Sequence, residues 1–213
     1  MTASQLSSDA QSTLDALRGD AAVTADDAWS ILVALQDLAQ HDTDAAEPIL
    51  NELFAAGAVP TGLDGATDGI LVATTTNRAL DAAVKALTSV WMPWRGKRFD
   101  ADSSTGDNRM TESSRLVGKI LWPVYGMRTD ADGRSAFDFN TYVEAGVEDP
   151  DVSVLVIDYA SVPDNPKLVI KSIRDELVEL VPGAYLGKIF FRVPSLVGDS
   201  RFERIGYFAL RTP

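Results

Sequence analysis

From Trp91 to the end, the chain is a succession of short runs of branched and aromatic residues separated by turn signals, and this pattern restricts the fold more than any other feature. Asp130-Ala131-Asp132-Gly133 reads as a hairpin-type turn. It precedes Ala136–Val143, where Phe137, Phe139, Thr141 and Val143 alternate with Asp138, Asn140 and Tyr142. Glu148-Asp149-Pro150-Asp151 is a second turn. Val152–Ala160 is apolar on both faces until Asp158, which predicts a strand covered on both sides. Lys167–Val181 fits either a helix stripe or a strand. The strand is preferred because Val181-Pro182-Gly183-Ala184 is a type II turn signal and another strand, Tyr185–Val193, follows. Arg204–Leu210 is the last strand. A meander of about eight such strands can close into a barrel, which removes exposed edges and leaves room for packed side chains or one small ligand.

Upstream the period changes. Residues 1–58 read as helices, and residues 59–213 as the barrel domain. Thr24 can cap a helix with Asp26 and Asp27 in its first turn, followed by Trp29, Leu32, Val33, Leu35, Leu38 and Ala39 at roughly helical spacing. A second helix is expected over 45–56, with Pro48 in its first turn and Gly57 as C-cap. A glycine-punctuated loop then leads to the apolar run Ile70-Leu71-Val72-Ala73, and one more helix is expected over 77–89. The fold class expected is mainly β (α+β): an antiparallel up-and-down barrel behind an acidic helical segment.

Of the net charge of −12, residues 1–60 contribute −9, from ten acids and one arginine. An acidic surface repels phosphate backbones and anionic headgroups, so nucleic-acid binding is disfavoured. No stretch approaches about 18 apolar residues, so no membrane insertion is expected, and the N-terminus lacks a basic region followed by an apolar run. A cytoplasmic location follows as the expectation. The acidic helices 1–58 serve solubility, dock a basic protein partner, or form a lid over the barrel mouth.

The 213 residues include no cysteine and one histidine. Thiolate chemistry and multi-histidine metal sites are excluded, and a Ser-His-Asp triad could use only His41, which is expected on the surface. No phosphate-binding or dinucleotide glycine motif is present, and no cofactor or metal is expected. What remains is acid/base work by carboxylates, lysine and tyrosine, or ligand binding.

The most singular segment, Trp91–Asp100, packs two tryptophans, one phenylalanine and three bases into ten positions. Either Trp94 and Phe99 contact a ligand while Lys97 offers a charged hydrogen bond, or the aromatics plug one end of the barrel. Asp158, ending an apolar strand, is a turn residue or a buried carboxylate paired with Lys97 or Arg109. In Arg174-Asp175-Glu176, Arg174 and Glu176 share one strand face and Asp175 takes the other; Glu176 is a candidate acid or base. Trp94, Tyr142, Tyr159 and Tyr185 are available for an inner wall. The ligand-binding candidates are therefore Trp94, Lys97, Phe99, Tyr142, Asp158, Tyr159, Arg174 and Tyr185, and the catalytic candidates Asp158, Glu176 and Lys97.

Trp94-Arg95-Gly96-Lys97-Arg98-Phe99-Asp100 resembles the W-x-G-K-x-F-D element of small, mostly uncharacterised bacterial proteins of lipocalin-like (calycin) type. Gly106 and Asn108, Asp158-Tyr159, Asp175-Glu176 through Pro182-Gly183 and Tyr185-Leu186-Gly187, and Phe208-Ala209-Leu210 extend the resemblance, and Pro60-Thr61-Gly62 is remotely similar to GxWxG-type proteins. The resemblance spans about residues 59–210. It implies a barrel with an interior cavity and hands over no catalytic residues. The function expected is binding of a small hydrophobic or amphipathic molecule in the barrel cavity. The alternative is a cofactor-independent isomerase, cyclase or hydratase acting on a hydrophobic metabolite.

Overall fold

The computed structural model describes residues 8, 15, 23–75, 94–111, 126–130, 133–167, 169–194 and 200–213. The expected helix over 77–89, Trp91–Pro93, Ala131-Asp132 and Leu168 lie outside these residues.

Helix α1 spans Ala25–Ala39. Thr24 caps it as expected, its hydroxyl accepting from Asp27 N while Asp27 returns a carboxylate to the Thr24 backbone, so two otherwise orphaned donors are satisfied. Helix α2 spans Thr43–Ala56, with Asp42 as N-cap and Gly57 as C-cap. It starts earlier than expected, so Pro48 falls in the second turn, not the first, and gives no N–H to the carbonyl four residues back.

The strands are β1 (Gly65–Ala66), β2 (Asp68–Thr74), β3 (Trp94–Asp100), β4 (Thr105–Met110), β5 (Arg128–Asp130), β6 (Gly133–Ala145), β7 (Ser153–Asp158), β8 (Ile173–Val181), β9 (Ala184–Val193) and β10 (Arg201–Arg211). All pairings among them are antiparallel, in the order β1-β3-β4-β6-β7-β8-β9-β10-β2, with β5 a short addition beside β6. β1 and β2 are one strand bent at Thr67. Its first part pairs with β3 and its second with β10, which makes a nearly closed, eight-stranded antiparallel barrel with the two helices on its outside. The sheet therefore begins at Gly65, within the expected barrel domain of 59–213 and upstream of the strand pattern that starts at Trp91. The run Ile70–Ala73 is the staff of the closing strand.

Lys167–Val181 resolves into a short 3-10 turn over Ile170–Ser172 followed by β8, so the strand reading holds from Ile173. The β8–β9 turn carries Gly183 at φ +90°, as a type II turn requires.

Two apolar layers result. Inside the barrel, Phe99, Met110, Phe137, Phe139, Ile157, Tyr159, Ile173, Leu177, Tyr185, Ile189 and Phe208 interdigitate. Outside, Val72, Val154, Val156, Val178, Leu186 and Tyr207 meet Leu32, Leu35, Leu50, Leu53 and Phe54 of the helices. β7 is covered on both faces, as its apolar run predicted, with Ile157 inward and Val154 and Val156 under the helices. Each fully buried leucine or phenylalanine stabilises by about 1.5–3 kcal/mol, so the helices are held by the wall they cover.

Candidate functional site

Strand β3 sets the interior. Its ladder with β4 is interrupted between Trp94 and Gly96. Gly96 sits at φ +145°, and a Cβ there would collide with the Thr67 carbonyl, so only glycine lets the bent closing strand approach. This irregularity shifts the alternation by one, so Trp94, Lys97 and Phe99 all take part in the inner layer.

Lys97 lies within the barrel, 2% exposed. Its Nζ donates to Asn108 Oδ1 at 3.0 Å, to Tyr159 Oη at 2.5 Å and to Asp175 Oδ2 at 2.9 Å. An ammonium has three protons, so none is left over. Around it stand the rings of Trp94, Phe139, Tyr159 and Phe208, with centroids 5.2–5.7 Å from Nζ. Asn108 lies opposite Lys97 in the β3–β4 register. Its Oδ1 also accepts from Trp94 Nε1 at 3.1 Å, and its Nδ2 donates to the Phe137 carbonyl at 3.0 Å and to Tyr159 Oη at 3.3 Å. Phe137 has φ +56°, an unusual backbone state for an aromatic residue, and its carbonyl is tied into this network. Tyr159 Oη donates to Asp175 Oδ2 at 3.0 Å. Among the described residues, Asp175 Oδ1 has no hydrogen-bond partner although it is buried.

Burial pushes the Lys97 ammonium below its ordinary range, opposed by the Asp175 charge and hydrogen bond. Burial, and then the Asp175 charge, push the Tyr159 phenol well above its own, so its hydroxyl keeps its proton.

The structure separates the three catalytic candidates. Lys97 is interior. Asp158 is on β7 with its Oδ1 accepting from Ala160 N at 2.8 Å, which is the turn-residue role. It pairs with neither Lys97, whose partner is Asp175, nor Arg109, which reaches the Thr67 carbonyl and Asp68. Glu176 is buried against the outer wall, held by Arg174 Nε at 2.8 Å and Val147 N at 3.1 Å. Desolvation raises its pKa, opposed by the Arg174 hydrogen bond and charge. The partner of Lys97 is Asp175, which the sequence reading placed on the opposite strand face from Glu176 without nominating it.

Of the binding candidates, Trp94, Phe99, Tyr159 and Tyr185 do belong to the inner layer. Tyr142 does not; it is an exposed outward residue, because β6 turns Phe137 and Phe139 inward. Arg174 bridges Glu176 and Glu144 outside the barrel. His41 is exposed in the α1–α2 connection.

Two concavities border these residues. An apolar crevice lined by Trp94, Asn108, Met110, Phe137, Tyr159, Ile170 and Ile173 has a volume of about 10 Å³, room for one water. A groove of about 410 Å³ lies over β3, β4 and β6. Arg98, Asp100, Asp107, Asp138 and Asn140 line it, with Phe99 and Phe139 at its base. Arg128 closes one side, bound through both guanidinium nitrogens to Asp138 at 2.5 and 2.6 Å.

Comparison with known proteins adds little. No family model matches the chain, and no curated protein matches it. A solved structure of a protein from Thermomonospora curvata is similar at 16% identity, covering 84% of this chain and 98% of that one, with a TM-score of 0.40. Among the described residues no helix is long and apolar enough to cross a membrane.

Proposed function

We propose that the protein binds a small amphipathic molecule, and that the groove over β3, β4 and β6 receives it. Volume carries this reading. Small-molecule sites occupy about 300–1,000 Å³, a range that includes the groove's 410 Å³ and not the crevice's 10 Å³. Among the described residues, aromatics and the Lys97 network occupy the barrel interior, so the ligand is placed in the groove. The buried Phe99 and Phe139 back the groove, and the guanidinium and carboxylate groups of the rim supply hydrogen bonds that orient a polar end.

The test is a thermal-shift and native mass spectrometry screen of fatty acids, terpenoids, haem and small polar metabolites, repeated on two filled variants. Thr105→Trp occupies the groove and Ile173→Phe occupies the crevice. Ligands that bind the wild type should be lost from Thr105→Trp and kept by Ile173→Phe. The reverse pattern places the ligand inside the barrel, and a screen without ligands removes the proposal.

A further inference from the structure

The interior cluster holds an amine, a carboxamide and a carboxylate in contact where solvent is excluded. We infer that the folded chain joins Lys97 to Asn108 through an intramolecular amide bond, with Asp175 and Tyr159 moving the protons.

Four observations carry this. Lys97 and Asn108 face each other across the β3–β4 ladder, and Nζ is 3.0 Å from Oδ1. A carbonyl bond is about 1.2 Å long, so the carboxamide carbon is within about 4.2 Å of the amine. Trp94 Nε1 donates to the same Oδ1, which places a second donor where negative charge develops when that carbon is attacked. Asp175 Oδ2 touches the amine, and its Oδ1 is buried with no partner among the described residues, so the carboxylate has capacity for a proton. Finally, Tyr159 Oη joins Asp175 Oδ2, at 3.0 Å, to Asn108 Nδ2, at 3.3 Å, a continuous path from the proton acceptor to the leaving group. Burial lowers the Lys97 pKa, against the opposing Asp175 charge, which eases loss of the proton that the amine must shed before it attacks. A crevice with room for only one water leaves hydrolysis little chance to compete with the amine for the carbonyl.

The step balances without any co-reactant. Lys97 gives one proton to Asp175, and the neutral Nζ forms a bond to Asn108 Cγ while the carbonyl electron pair moves to Oδ1. Asp175 delivers its proton through Tyr159 to Nδ2 and takes a second proton from Nζ. The Oδ1 pair returns, the Cγ–Nδ2 bond breaks, and ammonia leaves. The product is a secondary amide between β3 and β4, and nothing is oxidised or reduced. A buried ammonium is replaced by a neutral group, and the proton left on Asp175 neutralises that carboxyl in the same apolar space.

Intact-mass measurement of the full chain under denaturing conditions tests this directly and needs no variant. The expected mass is one ammonia below that of the sequence. Trypsin should then yield Gly96–Arg98 branched onto Phe99–Arg109, with cleavage after Lys97 blocked. Lys97→Met, Asn108→Ala and Asp175→Asn should each show the full mass of their own sequence. Tyr159→Phe, which keeps the ring and removes the relay, should lower the bonded fraction; an unchanged fraction removes Tyr159 from the step. A wild type of full mass overturns the inference. So does a loss of one water with Lys97 attached to the Asp175 peptide, because the carboxylate would then be the acceptor.

Discussion

The inner and outer surfaces of the barrel wall are both closed to water, yet they are built in different ways. Under the helices leucines pack on valines with Phe54 and Tyr207 among them, and the charged groups are held in pairs: buried Lys188, beneath the Phe54 ring, to Asp149 at 2.6 Å, and Arg204 to Glu47 at 2.5 Å and Glu148 at 2.8 Å. Inside, a lysine and an aspartate sit with an asparagine among four aromatic rings, one of them Tyr159's. The outer contact rests mainly on shape and apolar area, with its few buried charges paired. The inner one needs every donor and acceptor in place, because an unpaired buried charge costs more than a missing methyl group. The outer layer therefore holds the fold together and tolerates change, whereas the inner layer is specific.

The largest effect should come from breaking the inner network on one side. Asp175→Ala leaves the Lys97 amine in an apolar interior without its charge partner, and should cost about 3–5 kcal/mol in urea unfolding. Adding Lys97→Met should recover the share that comes from the orphaned amine, while the share that comes from the missing Lys97–Asn108 amide remains. A double variant as unstable as the single would show that the cost lies elsewhere. On the outer side, Leu50→Ala removes a fully buried side chain between α2 and the wall and should cost about 2–5 kcal/mol, with no compensation available from any charge change. Thr24→Ala removes the α1 cap and should cost about 1 kcal/mol, read as a lower thermal midpoint.

The smallest effect concerns slope. Glu176 has its pKa raised in the folded state by desolvation, so the folded chain binds this proton more tightly than the unfolded chain. Its contribution is most favourable below the ordinary value of 4.5 and is lost as pH rises through the raised value. Glu176→Gln keeps an acceptor for Val147 N and should flatten that fall when unfolding is followed from pH 4 to pH 8; an unchanged slope would assign the pH dependence to other groups.

Much of the architecture was legible because strand alternation and turn chemistry are local. Thr24 at the helix start, the Val181–Ala184 turn and the doubly apolar β7 are all read from neighbours in the chain. The site was legible only in part. The W-x-G-K-x-F-D segment points to Trp94 and Lys97, but Asp175 is not singled out by its neighbours for a physical reason: β8 mixes apolar and charged residues on both faces. Ile173, Asp175 and Leu177 alternate with Arg174, Glu176 and Val178, each face carries an acid, and nothing local says which face is inside. The partner of Lys97 lies 78 positions away. The groove was invisible for a similar reason, since Arg98, Asp107, Arg128 and Asp138 come from four strands.

By itself, the sequence determined that the chain forms capped helices followed by short antiparallel strands, and that thiol and multi-histidine metal chemistry have no place in it. Those properties follow from residue type and spacing. The tertiary structure decided which strand closes the barrel, which face of β8 turns inward, and that aromatic rings surround Lys97 in the interior formed by the described residues. Those outcomes depend on the irregularity at Gly96 and on pairings between distant segments, where one step of register exchanges the inside of a strand for its outside.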